Sequence, residues 1–238
     1  MGPVMTVSVI IPTLNEERVL GQTLAALHNG SSTGRCELIV VDGGSSDATV
    51  TLARTADAKV IESPRGRGRQ MNAGASGASG DILLFLHADT LLPVDFPHLI
   101  EETLARPGIA AGAFSLAIAS RTKSLAAIAF LANLRSRFLH LPYGDQALFT
   151  TRTMFAAIGG FPEIAIMEDY IFVRRLHKLG KIVILPAKAI TSARRWQNMG
   201  ILRTTLINQL IVGGYAIGVP PATLARWYQR LRGIDLSK

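Results

Sequence analysis

The sequence predicts an α/β fold, with a mostly parallel central sheet flanked by helices and a helical C-terminal extension. Three observations predict it. Short β-branched or apolar runs alternate with helix-period segments through the first half of the 238 residues, the order that builds a parallel sheet with right-handed crossovers. The apolar run Leu84, Phe85, Leu86 stops abruptly at His87, Ala88 and Asp89. A buried strand thus delivers polar groups to a sheet edge, where open α/β sheets bind ligands. From Gly200 onward the pattern is helical, broken at Pro220 and Pro221.

Residues 7–11 form a β-branched run closed by Pro12, as expected of a buried parallel strand. From Glu16, the residues Leu20, Leu24 and Leu27 share one helical face, and Gly30 ends the pattern. Residues 38–41 are a second strand, broken by Asp42, Gly43, Gly44, Ser45 and Ser46; Asp47 is expected to cap a helix through Val50 and Ala53. A third strand spans 59–61, a helix of small residues spans about 70–79, and a fourth strand spans 81–86. In the second half, 110–118, 146–151 and 181–185 read as strands and 123–139 as an apolar-rich helix. Residues 168–179 form a helix with Phe172, Leu176 and Leu179 on one stripe and Gly180 as its stop. No internal repeat or low-complexity linker interrupts the chain, so one continuous domain with a helical extension is expected.

Composition bounds the function. With 48% hydrophobic residues the chain folds rather than remaining disordered. A single cysteine, Cys36, excludes a disulfide framework and a cysteine-only zinc site, and reads as an inert small apolar residue. No basic region followed by an apolar stretch precedes Val7, so no secretory signal is expected and a cytoplasmic location is the default. The net charge of +8 suits nucleic acid, an anionic membrane face or a phosphorylated small substrate. Nucleic acid is disfavoured, because zinc-finger spacing and an RNA-binding aromatic signature are both missing. No apolar run reaches the roughly 20 residues of a bilayer span. Residues 206–219 either lie on a membrane surface, with Arg203, Arg226, Arg230 and Arg232 towards headgroups on its inner face, or form a core helix or a homodimer contact.

Five polar clusters carry candidate chemistry, and each has a plain structural alternative. Pro12, Thr13, Asn15 and Glu16 follow the first strand; they either cap the next helix or wall a nucleotide pocket. Asp42 with Gly44 either forms an Asx turn or accepts a hydrogen bond from a base or sugar. Arg65, Arg67 and Arg69 enter a helix through a Gly-rich turn that suits a pyrophosphate, although it is neither a dinucleotide fingerprint nor a Walker loop. His87 and Asp89 suit a divalent metal against a phosphate. Glu168 and Asp169 open a helix, where the dipole stabilises them, or one is a general base.

In this order on an alternating α/β pattern, the clusters resemble the family 2 glycosyltransferases of the GT-A fold. The resemblance runs through residues 12–16, residues 41–47, Asn72 and Gly74 after the arginine turn, the His87-Ala88-Asp89 segment in place of Asp-x-Asp, and Gly159-Gly160-Phe161 followed by Glu168-Asp169. It covers residues 7 to about 185. The likeness implies a glycosyltransferase domain over residues 1–195, with a nucleotide-sugar half (1–92), an acceptor half (93–195) and an extension over 196–238. It further implies a UDP- or GDP-linked sugar donor, a divalent ion (Mg²⁺ or Mn²⁺) on the diphosphate, and inversion at the anomeric carbon. By that likeness Asp42 reads the base, Asp89 holds the metal, and Asp169 is the base with Glu168 as its substitute. More narrowly, the segments around Leu86-His87-Ala88-Asp89-Thr90 and Arg194-Arg195-Trp196 are similar to a bacterial subgroup associated with arsenosugar biosynthesis.

Two departures bear on the site. His87 stands where the family often has its first aspartate, and either meets a ribose hydroxyl or joins Asp89 on the metal, which lowers the negative charge there. Gly43 replaces the second acid of the base-reading turn. Asp145 and Gln146 are expected to line the acceptor pocket, the acceptor itself being unspecified. Arg194 and Arg195 are expected to clamp the product diphosphate, and Trp196 either stacks on a sugar or anchors the C-terminal helices. A sugar-phosphate nucleotidyltransferase and a non-catalytic membrane-surface protein of the same fold are the rival readings.

Overall fold

The computed structural model describes residues 5–30, 36–194, 196 and 200–232. Arg195 therefore lies outside the described residues. Eight strands form one sheet: β1 (Val7–Thr13), β2 (Cys36–Asp42), β3 (Lys59–Glu62), β4 (Ile82–Phe85), β5 (Thr90–Leu91), β6 (Ile109–Ala119), β7 (Leu148–Thr151) and β8 (Lys181–Ser192). Among the described residues the helices, in chain order, are α1 (Glu17–Gly30), α2 (Thr49–Thr55), α3 (Arg67–Gly77), α4 (Phe96–Leu104), α5 (Lys123–Leu139), α6 (Arg152–Ala157), α7 (Glu168–His177), α8 (Ile201–Ala216) and α9 (Pro221–Arg232).

The strand order is β3-β2-β1-β4-β7-β6-β8-β5. The first four run parallel; β7 is inserted antiparallel between β4 and β6, β8 returns parallel to β6, and β5 closes the edge antiparallel to β8. The sheet is therefore mostly parallel, but its second half is mixed. Consecutive residues of β1 and β4 feed opposite faces. Val7, Val9, Ile11, Ile82 and Leu84 pack under α1, α2 and α4, whereas Ile10, Leu83 and Phe85 pack under α3 and α7. Both faces are apolar, which is why these strands read as unbroken apolar runs rather than as alternation.

Several boundaries differ from the sequence expectation for identifiable reasons. β1 runs through Pro12, because β4 ends at Phe85, opposite Ile10, so the missing N–H falls beyond the last rung on that side. β8 continues past Pro186 to Ser192: the register jumps from Phe114–Leu185 to Ser115–Lys188, and this bulge takes the proline out of the ladder. The Ser115 hydroxyl donates to the Leu185 carbonyl at 2.7 Å and holds the bulge. α4, α6 and the two-residue β5 were not expected; α4 buries Phe96, Ile100 and Thr103, a stripe interrupted in sequence by Pro97. Helix α2 starts behind Ala48, and Asp47 instead accepts from the Thr49 and Glu17 backbone, tying the starts of α1 and α2 together. Burial, helped by nearby Glu101, pushes the Cys36 thiol up to about 11, so it is inert at neutral pH.

Candidate active site

The ends of β1, β2 and β4 lie side by side, so the loops that follow them share one edge of the sheet. Gln70, on the buried face of α3, fills the gap between the first two strands: its amide donates to the Thr13 and Val41 carbonyls, each at 2.8 Å. A buried amide needs such partners, and a glutamine beside Met71, Gly74 and Ala75 on the buried helix face was the available signal for it. Gly43 meets the same side chain; a Cβ there would stand 3.1 Å from the Gln70 nitrogen.

The loop after β2 is an Asx turn. Asp42 is buried, its Oδ2 accepts from the Gly44 and Ser45 backbone N–H groups, and its Oδ1 accepts from the Ser45 hydroxyl. Gly44 at φ +89° supplies the left-handed residue that the turn requires. Asn15, itself at φ +54°, joins the first two loops: its backbone N–H donates to the Ser45 hydroxyl and its side-chain oxygen accepts from Ser46 N–H. The Thr13 side chain is turned inward, its hydroxyl directed at the Val41 carbonyl.

Beyond β4 the chain presents two distinct groups. The Arg194 guanidinium lies 3.0 Å from Glu16 and 3.3 Å from Asp89. Although partial burial works against its charge, these two carboxylates hold Arg194 further into the cationic form. Ala88 between the polar residues is buried, its carbonyl accepting from the Thr23 hydroxyl at 2.7 Å, which anchors this segment to α1. His87 faces elsewhere, into a narrow cavity lined by Pro12, Arg67, Gly144, Glu168 and Asp169.

That cavity holds the acids of α7. The Gly144 N–H donates to Asp169 Oδ2 at 2.8 Å, and the Tyr170 N–H donates to Oδ1 at 2.7 Å, so two backbone donors orient the carboxylate. A Cβ on Gly144 would stand 3.0 Å from His87 Nε2 and 3.5 Å from Asp169 Oδ2, so both side chains lie over this glycine. A packed cluster of phenylalanines sets this arrangement. Phe161 stacks on Phe172 at 3.8 Å, and Phe85 packs edge-on against both. The end of β4 and the start of α7 are thereby locked together. Glu168 is buried, and desolvation, reinforced by Asp169 and opposed by Arg67, pushes its pKa up to about 7.

Several expected site residues have structural employment. Gln146 was expected beside the acceptor. It is fully buried instead, donating to the Phe114 carbonyl and accepting from the Ser136 hydroxyl and the Tyr143 N–H, and no surface of it is left for a ligand. Trp196 does not face the site: it is buried against Leu125 and Ala193, where it anchors the start of α8 through Ile201. Asn72 clamps Phe161, accepting from its N–H and donating to its carbonyl, both at 2.9 Å. Arg69 pairs with Glu163 at the surface, Arg65 is exposed ahead of α3, and Arg67 alone of the three lines the cavity. Asp145 sits half-buried in the 3₁₀ turn Gly144–Gln146, beside Asp169 across Gly144. Tyr143, just before that turn, was overlooked in the sequence. Burial pushes its phenol up while the Arg135 guanidinium, 3.5 Å from the ring centroid, pulls it down.

Asp42, Asp89 and Asp169 thus lie along one connected edge but not in one hollow. Among the described residues no three His, Cys, Asp or Glu side chains converge as a preformed metal cage. Mg²⁺ and Mn²⁺ do not require one, since they commonly take one or two carboxylates and fill their shell with phosphate oxygens and water. Asp89 fits that demand, and the Arg194 guanidinium already marks a cation position beside it.

An α/β sheet that gathers polar loops at its strand ends belongs to the class of folds that bind ligands at that edge. The model of the Glycosyl transferase family 2 matches residues 8–161, and the chain belongs to that family. It is 33% identical over 156 residues to a glucosyl-3-phosphoglycerate synthase of Mycolicibacterium smegmatis, covering 55% of this chain and 50% of that protein. The chain thus spans about half the length of the curated relatives it matches. Its fold is similar to that of a Pyrobaculum calidifontis mannosyltransferase solved with GDP-mannose and Mn²⁺ (TM-score 0.66, 20% identity, 98% of this chain and 70% of that one). It is also similar to the Mycobacterium tuberculosis glucosyl-3-phosphoglycerate synthase solved with Mn²⁺ and UDP-glucose (TM-score 0.59, 24% identity, 77% of this chain and 70% of that one).

Proposed function

We propose that this protein moves a sugar from a nucleotide-diphosphate donor to an acceptor hydroxyl, with inversion at the anomeric carbon. The observation that carries the reading is the Asp169 carboxylate, aimed by two backbone N–H groups into a cavity shared with His87 and Arg67 at the sheet edge. Asp169 accepts the proton of the acceptor hydroxyl as its oxygen bonds to the anomeric carbon. The bond from that carbon to the phosphate oxygen breaks on the opposite face, and the nucleoside diphosphate leaves with the electron pair. A backbone-held carboxylate keeps its orientation through the step, which is the geometric condition for general-base help. A UDP- or GDP-linked donor is supported by the nucleotide sugars bound in the two similar structures.

The other residues divide the remaining work. Arg67 offers a cation to the donor diphosphate at the start of α3, whose N–H groups point the same way. A divalent ion held by Asp89 and the diphosphate oxygens would neutralise charge growing on the leaving group. Arg194, beside Glu16 and Asp89, would be placed to hold the departing diphosphate. The loops of Asn15 and Asp42, fixed to each other, form the rigid wall against which a base and ribose sit.

The test uses release of nucleoside diphosphate from UDP-glucose and GDP-mannose, with water as the default acceptor, in the presence of Mn²⁺. Asp169→Asn is expected to bind nucleoside diphosphate as the wild type does while its turnover falls by about 10² to 10⁴. Undiminished turnover would move the base to Glu168 or Asp145. Pyrophosphate release from a nucleoside triphosphate and a sugar phosphate would replace this reading with nucleotidyl transfer.

A further inference from the structure

Over its second half, helix α5 is held to the protein by polar contacts: Asn133 accepts from the Leu116 N–H and donates to the Leu116 carbonyl, Ser136 donates to Gln146, and Arg137 donates to the Ser115 hydroxyl. Beyond Leu125 and Ile128, its large apolar residues face outward. Phe130, Leu131, Leu134 and Phe138 form one exposed stripe, with the two phenylalanines 64% and 75% exposed. A second stripe follows on α8, where Leu202, Leu206 and Leu210 are exposed on the side away from buried Ile207 and Ile211. Both helices reach one small apolar cluster, in which Leu125 and Ile128 of α5 and Ile201 of α8 pack round Trp196. Monomeric proteins rarely leave exposed apolar stripes of this length without a use.

The charge distribution says what covers it. No acidic residue lies between Glu102 and Asp145, or between Asp169 and Asp235, so neither α5, α8 nor α9 carries one. Residues 103–238 hold 18 of the 25 Lys and Arg but five of the 17 Asp and Glu, so this part of the chain is the source of the whole net positive charge. A second copy docked face to face would bring together two faces that carry no acid, with Arg121 and Lys123 exposed at the start of each α5. An anionic bilayer attracts them, and its headgroup boundary accepts the phenylalanines and leucines of helices lying in the plane. Among the described residues no helix is long and apolar enough to cross a membrane.

We infer that the outward faces of α5 and α8 seat this protein on an anionic lipid surface. The assignment extends the expected contact of the C-terminal arginines to α5, which the sequence alone read simply as an apolar-rich helix. It stands apart from the transfer reading, since none of its residues touches the site. One consequence is positional: the inner side of α8 packs against Met167 and Tyr170, so the start of α7, with Asp169, lies beside the membrane-seated helix.

Cosedimentation with phosphatidylcholine vesicles, with and without phosphatidylglycerol, tests it on the full chain. Wild type is expected to partition to the anionic vesicles at least about tenfold more than to the neutral ones, with the preference weakening as salt is raised. The double variant Phe130→Ser, Phe138→Ser alters two side chains that are mostly solvent-exposed. It is expected to keep its unfolding temperature and its nucleoside diphosphate affinity while losing about tenfold or more of its vesicle binding. Absence of wild-type binding to anionic vesicles, or unchanged binding by the double variant, would overturn the inference. So would a wild-type dimer in sedimentation that the double variant converts to monomer, for then a second copy covers the face.

Discussion

Glu168 and Asp169 are adjacent in sequence yet differ in circumstance, and the difference decides what each can do. Asp169 is half-exposed and oriented by backbone donors, whereas Glu168 is buried with its pKa raised to about 7. The folded state therefore holds a proton on Glu168 over a range where the unfolded chain, near its ordinary value of 4.5, has released it. The contribution of Glu168 to stability must fall as pH rises from about 4.5 to about 7, and be level outside that window. Glu168→Gln removes the burial cost of the charge, so its gain over wild type in urea midpoint should be larger at about pH 8 than at about pH 5. Equal differences at both pH values would show that Asp169 and desolvation do not load this carboxyl. At this scale the sequence was informative about residue type and uninformative about direction. The acids after the strands and at the start of α7 were legible because turns and helix starts are local. Gln146 was placed beside the acceptor, and Trp196 was left between sugar and anchor, because nothing in a single sequence says which way a side chain points; their partners, Phe114 and Leu125, lie 32 and 71 positions away.

Elements were legible where their cores are periodic and their ends are marked by glycine, proline or an acid, as for α1, α7 and the first four strands. They were hidden where long-range pairing overrides a local signal. The bulge that carries β8 past Pro186 depends on β6, and the reversal at β7 depends on which strands flank it. One motif shows how a family signature can be architecture. Asn72 and Gly74 stand two residues apart on α3, on different faces: the first clamps Phe161, and the second lets the helix lie directly on the sheet. A Cβ at Gly74 would stand 2.4 Å from Ile10 Cγ2 and 2.9 Å from Val41 Cγ2, both on stiff β-branched side chains in central strands. Gly74→Ala must therefore displace α3, with a cost of about 1–3 kcal/mol in urea unfolding. Because α3 carries Gln70 and Arg67, the same shift should weaken nucleoside diphosphate binding in the folded variant. An alanine variant as stable as wild type would show that helix and sheet have slack at this contact.

At the scale of the whole molecule, the candidate site is the seam between the parallel and mixed parts of the sheet. The loops after β1 and β2 come from the first, α7 and Arg194 from the second, and the ion pairs of Arg194 with Glu16 and Asp89 bridge them across 178 and 105 residues of sequence. Both hydrophobic layers also draw on both parts, so the chain has no local unit that a ligand could stabilise alone. A nucleoside diphosphate bound at this seam should raise the melting temperature of one cooperative transition. At about a hundred times its dissociation constant it adds about 2.7 kcal/mol, which for a chain of this size corresponds to about 5–10 °C. The shift should depend on Mn²⁺ in wild type and lose that dependence in Asp89→Asn, because the carboxylate that Arg194 now neutralises is the one the ion needs. If neither UDP nor GDP moves the transition, with or without Mn²⁺, the seam is not a donor site, and the connected polar edge must be read as a structural weld between the two parts of the sheet.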